Sequence, residues 1–124
     1  MLAVIIGLCQ SCGAAPFEGY LENHYEEFVS QTVPSDAENV ARTPVKHTDW
    51  AQSASWEFDT NQNGPQYAEW LKGKPRGQFK IARSETDGVT FAQDLNGDTV
   101  SLAVRFTPGS GKLHVRVDAA IRPD

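Results

Sequence analysis

Cysteine is nearly missing from this sequence: the 124-residue chain has two, Cys9 and Cys12, and none after them. No disulfide framework can hold the body of the protein, and no four-cysteine zinc site can form. Cys-Gln-Ser-Cys has redox spacing, but a redox pair needs a strand before it and a helix after it in a βαβ pattern, and none follows. Haem attachment needs a His after the second Cys, where Gly13 stands. A basic excess is lacking too. Eleven Lys and Arg face 16 Asp and Glu, a net charge of −5, which argues against nucleic-acid binding. The apolar run Met1 to Leu8 falls far short of the about 20 residues that span a bilayer. Complete catalytic signatures are absent. There is no Gly-x-Ser-x-Gly turn, no His pair at helical spacing and no pair of carboxylates in a recognisable frame.

Two fragments resemble binding loops and fail on inspection. Asp59-Thr-Asn-Gln-Asn-Gly64 opens like a calcium loop. Its twelfth place, which needs a bidentate carboxylate, is Trp70, and its eighth, which should be apolar, is Gln66. The stretch reads instead as a strand-to-helix turn, with Asn63 near the cap and Pro65 in the first turn. Gly109-Ser-Gly-Lys112 is part of a phosphate loop, but Leu113 follows where Ser or Thr is required. The histidines, His24, His47 and His114, read as surface or helix residues before they read as ligands or bases. No cofactor and no metal is expected.

What is there begins with an address. Met1 to Leu8 has the length of the hydrophobic part of a secretory signal. The following Cys-Gln-Ser-Cys-Gly resembles the end of a bacterial lipoprotein signal, in which small residues precede a cysteine that is acylated; Cys12, between Ser11 and Gly13, fits best. Cleavage after Ala14 is the competing outcome. Residues 1–15 are therefore read as an export segment, and the resemblance implies an exported protein, periplasmic or held to the membrane by lipid.

Residues 16–50 read as an acidic arm. Phe17, Tyr20, Leu21, His24, Tyr25 and Phe28 fall at helical spacing over 17–31, with Glu18, Glu22, Glu26 and Glu27 opposite. Residues 32–50 lack periodicity and read as a loop. Residues 51–124 read as a sheet domain. Ala54, Trp56 and Phe58 alternate with polar residues as in a half-buried strand. Gly64 to Lys74 forms a short helix with Tyr67, Trp70 and Leu71 inward, and Trp70 is expected to be its main anchor. Gln78 to Ser84 is a second strand, with Phe79 and Ile81 inward. Asn96-Gly97 between two alternating runs marks a hairpin pairing Leu95 with Asp98, which sets Phe91 against Leu102. The next turn is expected to set Phe106 against Leu113.

The fold class is thus α+β: a five-stranded antiparallel sheet built as strand, short helix and four-strand meander, with a helix on one face and an amphipathic helix before it. The order is similar to that of cystatin-like rolls, in fold only. The cystatins' Gln-x-Val-x-Gly wedge is missing, since the nearest stretch is Gln31-Thr-Val-Pro-Ser35.

One surface stands out as a candidate site. Arg105, His114 and Arg116 fall on the second face of the sheet among Thr90, Ala92, Ser101 and Ala103. Residues 17–64 carry nine acidic and two basic side chains, while 65–124 carry seven and nine. Two occupants suit that face: the chain's own acidic helix, or an anionic ligand or partner in the cell envelope. The expected function is a non-catalytic binding or structural domain of an exported envelope protein. The alternatives are an inhibitor or partner-binding module using the loops at Asn96–Gly97 and Pro108–Gly111, and an enzyme with dispersed residues around His114.

Overall fold

The computed structural model describes residues 19–48, 50–75 and 79–123; the export segment and Cys12 lie outside them. Among these residues are two helices and seven strands. Helix α1 is Tyr20–Thr32 and α2 is Gly64–Lys72; the strands are β1 (Glu38–Arg42), β2 (Lys46–His47), β3 (Gln52–Thr60), β4 (Lys80–Glu85), β5 (Gly88–Leu95), β6 (Asp98–Pro108) and β7 (Leu113–Pro123). All strand pairs are antiparallel, in the order β1-β3-β7-β6-β5-β4, with β2 also on β3. The protein is therefore α+β with an antiparallel sheet of seven strands, not five. The two additional strands come from residues 38–47, read above as loop. Their side chains are all exposed, so no apolar alternation marks them.

The β5–β6 hairpin has the register its sequence demands. Leu95 faces Asp98, Phe91 faces Leu102 and Val89 faces Val104. Asn96 (φ 54°) and Gly97 (φ 92°) both take the left-handed conformation that such a two-residue turn needs. The β6–β7 register differs from expectation by two residues: Phe106 faces Val115 and Pro108 faces Leu113. Pro108 closes the strand rather than opening the turn, and Gly109 N–H donates to Lys112 O at 2.7 Å across the loop. A slip of two preserves the side-chain alternation, so every residue keeps its expected face.

One sheet face carries the core. Trp56, Phe58, Phe91, Leu102, Val104, Phe106, Val115 and Val117 are buried there beneath both helices. Helix α1 begins at Tyr20, after Gly19 in the left-handed conformation (φ 73°), and buries Leu21, Phe28 and Val29. The acidic helix thus lies on the apolar face, opposite Arg105, His114 and Arg116. This corrects the expectation that it would dock on them. The aromatic stripe decides the matter: burying a side chain such as Leu21 or Phe28 yields about 1.5–3 kcal/mol, whereas exposed ion pairs yield about 0–1 kcal/mol each.

Helix α2 is capped as its sequence suggests. Asn63 Oδ1 accepts from Gln66 N–H and Asn63 N–H donates to Gln66 Oε1, each at 2.9 Å, with Pro65 in the first turn. Its anchors are Tyr67 and Leu71, both fully buried. Trp70 lies on the flank, stacked on Tyr67 at 5.8 Å, with Lys74 Nζ 4.9 Å above its ring. Tyr67 and Leu71 are four residues apart and share one line of the helix, while Trp70 is rotated about 60° from Tyr67 and about 100° from Leu71. Ile81 is also not inward as expected but 46% exposed, because β4 is the outermost strand.

The helices meet at Thr32, which is fully buried. Its hydroxyl donates to Phe28 O at 2.9 Å and accepts from Trp56 Nε1 at 2.8 Å. Its carbonyl accepts from the Tyr67 hydroxyl at 2.6 Å. One residue at the end of α1 thereby joins α1, β3 and α2.

Candidate functional site on the open face of the sheet

With both helices on the core side, the other face is uncovered by any described element. Alternation along the strands sends Glu57 and Asp59 of β3, His114, Arg116 and Asp118 of β7, and Ala103 and Arg105 of β6 to that face. The registers bring them together: Asp59 faces His114, Glu57 faces Arg116, and Arg116 also faces Arg105 across β6–β7. Ala103 faces Asp118 and Thr90.

His114 is held between two carboxylates. Its Nδ1 lies 2.9 Å from Asp59 Oδ1 and its Nε2 lies 2.9 Å from Glu57 Oε1. Only the imidazolium can donate from both nitrogens. The bond to Asp59 therefore raises the His114 pKa above its ordinary value, with Glu57 adding to it. Asp59 is shifted down in turn, first by Asn39, whose Nδ2 donates at 2.9 Å, and then by His114. Arg116 reaches Asp118 at 3.3 Å and Glu57 at 3.6 Å. The result is a continuous chain from Asn39 through Asp59, His114, Glu57 and Arg116 to Asp118.

Of the three cations singled out in the sequence, two are thus neutralised by carboxylates on the same face. Arg105 is exposed and has no side-chain partner among the described residues. It borders a hollow of ≈ 250 Å³ lined by Arg83, Arg105 and Arg116, by the carboxylates Glu85, Asp87 and Asp118, and by Thr90 and Ala103. A second hollow of ≈ 310 Å³ lies across Arg116 and Asp118, over Ser53, Ser55 and Ala120. The arrangement offers guanidinium groups interleaved with carboxylates beside a floor of small side chains. It offers no free imidazole nitrogen, so His114 in this state can neither take a proton nor ligate a metal.

The other histidines are engaged as well. His24 stacks on Tyr20 at 4.1 Å and bonds Tyr20 O at 2.8 Å. His47 pairs with Glu22 at 2.5 Å. Among the described residues no group of His, Cys, Asp and Glu is placed to hold a metal ion. No helix among them is long and apolar enough to cross a membrane. Sequence reasoning missed the role of Glu57 and Asp59. The available signal was their outward alternation with Trp56 and Phe58, but their partners lie 55 to 57 residues away along the chain.

Comparison with protein-family models, with curated proteins and with solved structures found no match to this chain.

Proposed function

We propose that this is a non-catalytic binding domain that receives an acidic segment of an envelope protein on the open face of its sheet. Arg105 makes the primary contact and Arg116 a secondary one. The observation that carries the reading is the position of α1. It occupies the apolar face, leaving small residues and an Arg105 without a side-chain partner among the described residues open on the other. Arginine suits the role because its planar fork meets a carboxylate with two parallel hydrogen bonds. A binding rather than catalytic role is supported by the engagement of both nitrogens of His114 with carboxylates. The apolar run before Cys12 supports export, with acylation of Cys12 as the anchor. Intact mass of the protein recovered from a bacterial host tests that part: a full-length, unmodified cytoplasmic product overturns it.

The site itself is tested by titrating isotope-labelled protein with a glutamate-rich peptide at low salt. Amide shifts are expected at Thr90, Ala103, Arg105 and Arg116, and are lost in Arg105→Ala. Shifts spread evenly over the surface, or unchanged in Arg105→Ala, refute the assignment.

A further inference from the structure

A further concavity lies not on the open face but at one end of the sheet. It has a volume of ≈ 610 Å³, within the roughly 300–1,000 Å³ usual for small-molecule sites. Three connections wall it: the β3–α2 turn, the β4–β5 turn and the β6–β7 loop. Its apolar lining comes from Pro65, Phe106, Pro108 and Leu113. The first two turns are stiffly built. Asp36 accepts from the Thr60 hydroxyl at 2.9 Å and from Asn61 N–H at 2.8 Å, fixing the mouth of the first turn. Asp87 O accepts from Phe106 N–H at 2.9 Å, fixing the second. At Gly88 an added Cβ would meet Val104 O at 2.8 Å, so only glycine lets the β4–β5 turn approach β6 this closely. The cleft is therefore preformed.

Its charges identify the ligand. Among the described residues two ionisable side chains line it, Asp87 and Lys112. Lys112 is committed to Glu38 of β1. Asp87 is exposed and has no side-chain partner among the described residues. The cleft thus offers apolar walls and one unneutralised carboxylate at the rim, with the Asn61 amide and the Thr86 hydroxyl nearby.

We infer that this cleft is a binding site for a small amphipathic amine, its apolar body lying against Pro65, Phe106, Pro108 and Leu113 and its ammonium group meeting Asp87. The site adjoins the contact proposed at Arg105, because Asp87 also lines that hollow, but the apolar walls at Pro65, Phe106, Pro108 and Leu113 belong to this cleft. An anion is disfavoured here by Asp87, and a fully polar ligand by the walls.

The test uses three probes that differ only at the head group: 4-phenylbutylamine, 4-phenylbutanol and 4-phenylbutyrate. Each is titrated into labelled full-length protein at pH 7 and followed by amide shifts. The amine should perturb residues 61–65, 86–88 and 106–113, and bind about tenfold more tightly than the alcohol, with the acid weakest. Asp87→Asn should abolish the preference for the amine while leaving the melting temperature unchanged, since Asp87 is exposed. Gly64→Leu supplies a second variant. A Cβ there sits 3.6 Å from the Phe106 ring, so the longer side chain lies across the cleft and should block all three probes. Equal binding of the three probes, shifts centred elsewhere, or no shifts at millimolar amine each overturn the proposal. If Gly64→Leu does not fold, the head-group series and Asp87→Asn decide alone.

Discussion

Tyr67 should be the most costly side chain of α2 to remove, and its cost can be divided. The ring is fully buried and makes edge-on contacts with Phe58 at 6.0 Å and Phe106 at 5.8 Å. Its hydroxyl donates to Thr32 O at 2.6 Å. Tyr67→Phe keeps the ring and deletes the donor. The Thr32 carbonyl is then left at the buried end of α1 without that partner, which costs about 1–3 kcal/mol. Tyr67→Ala also removes the ring and leaves a cavity, and large aromatic deletions cost about 3–5 kcal/mol. Against a domain stability of about 5–15 kcal/mol, the alanine variant should be marginal and the phenylalanine variant folded. Burial pushes the Tyr67 phenol far above its ordinary pKa. It stays a donor throughout the accessible range, so the phenylalanine loss should be the same at pH 5 and pH 9.

Urea denaturation at both pH values, followed by tryptophan fluorescence, measures the two losses. A Tyr67→Phe loss below about 0.3 kcal/mol would show that the bond to Thr32 contributes nothing net, and that the joint between α1 and α2 is apolar contact alone. A Tyr67→Ala loss below about 1.5 kcal/mol would refute the placement of Tyr67 in the core. A loss in Tyr67→Phe that vanishes at high pH would contradict the burial of the phenol.

Other outcomes follow from the same geometry. Trp70→Ala should cost less than half of what Tyr67→Ala costs in the same assay, because Trp70 lies on the flank of α2; equal losses would return Trp70 to the core. The His114 pKa is raised on folding, so its contribution is fully present below the ordinary imidazole value of 6.5 and fades as pH rises through the higher folded value. Asp59 is lowered, so its contribution is present above the ordinary value of 3.8 and is lost on further acidification. Melting temperature should therefore fall on raising pH from 6 to 9 in the wild type and less in His114→Gln; an equal fall in both would remove His114 as the cause. Millimolar calcium should not raise the melting temperature, because Asn63 is spent on the α2 cap and Asp59 on Asn39 and His114; a rise lost in Asp59→Ala would overturn that reading.

The sequence was most legible where a local pattern and a long-range demand coincide. Asn96-Gly97 sets the β5–β6 register by turn chemistry, and the apolar alternation of both strands selects the same one. Asn63, Pro65 and Gln66 start α2 by contacts within four residues. β1 and β2 were illegible because every side chain in them is exposed; what makes them strands is backbone pairing to β3. Thr32 was illegible for the opposite reason. It is a buried polar residue whose partners, Trp56 and Tyr67, lie 24 and 35 residues away. The open face was half legible. Alternation predicted which residues point there, but nothing local said that β3 would lie against β7 and bring its carboxylates to His114 and Arg116.

That pairing explains the charge asymmetry, which had suggested an acidic helix lying on a basic face. The acids of the first half do meet bases of the second, but along the sheet. Glu57 and Asp59 meet His114 and Arg116, and Glu38 meets Lys112. The helix acids stay within the first half: Glu22 pairs with His47 and Glu26 with Arg42 at 2.5 Å. Such exposed pairs hold little, about 0–1 kcal/mol each. What they can do is choose between registers that the apolar face alone leaves close. If β3 slipped by two residues in one direction, Glu57 would face Asp118, a like-charge pair; in the observed register it faces Arg116. The apolar alternation survives either placement, so the penalty on the slip comes from the open face. On this account His114 and Arg116 are first of all partners of β3. Arg105, which has no side-chain partner among the described residues, is where the contact proposed above falls.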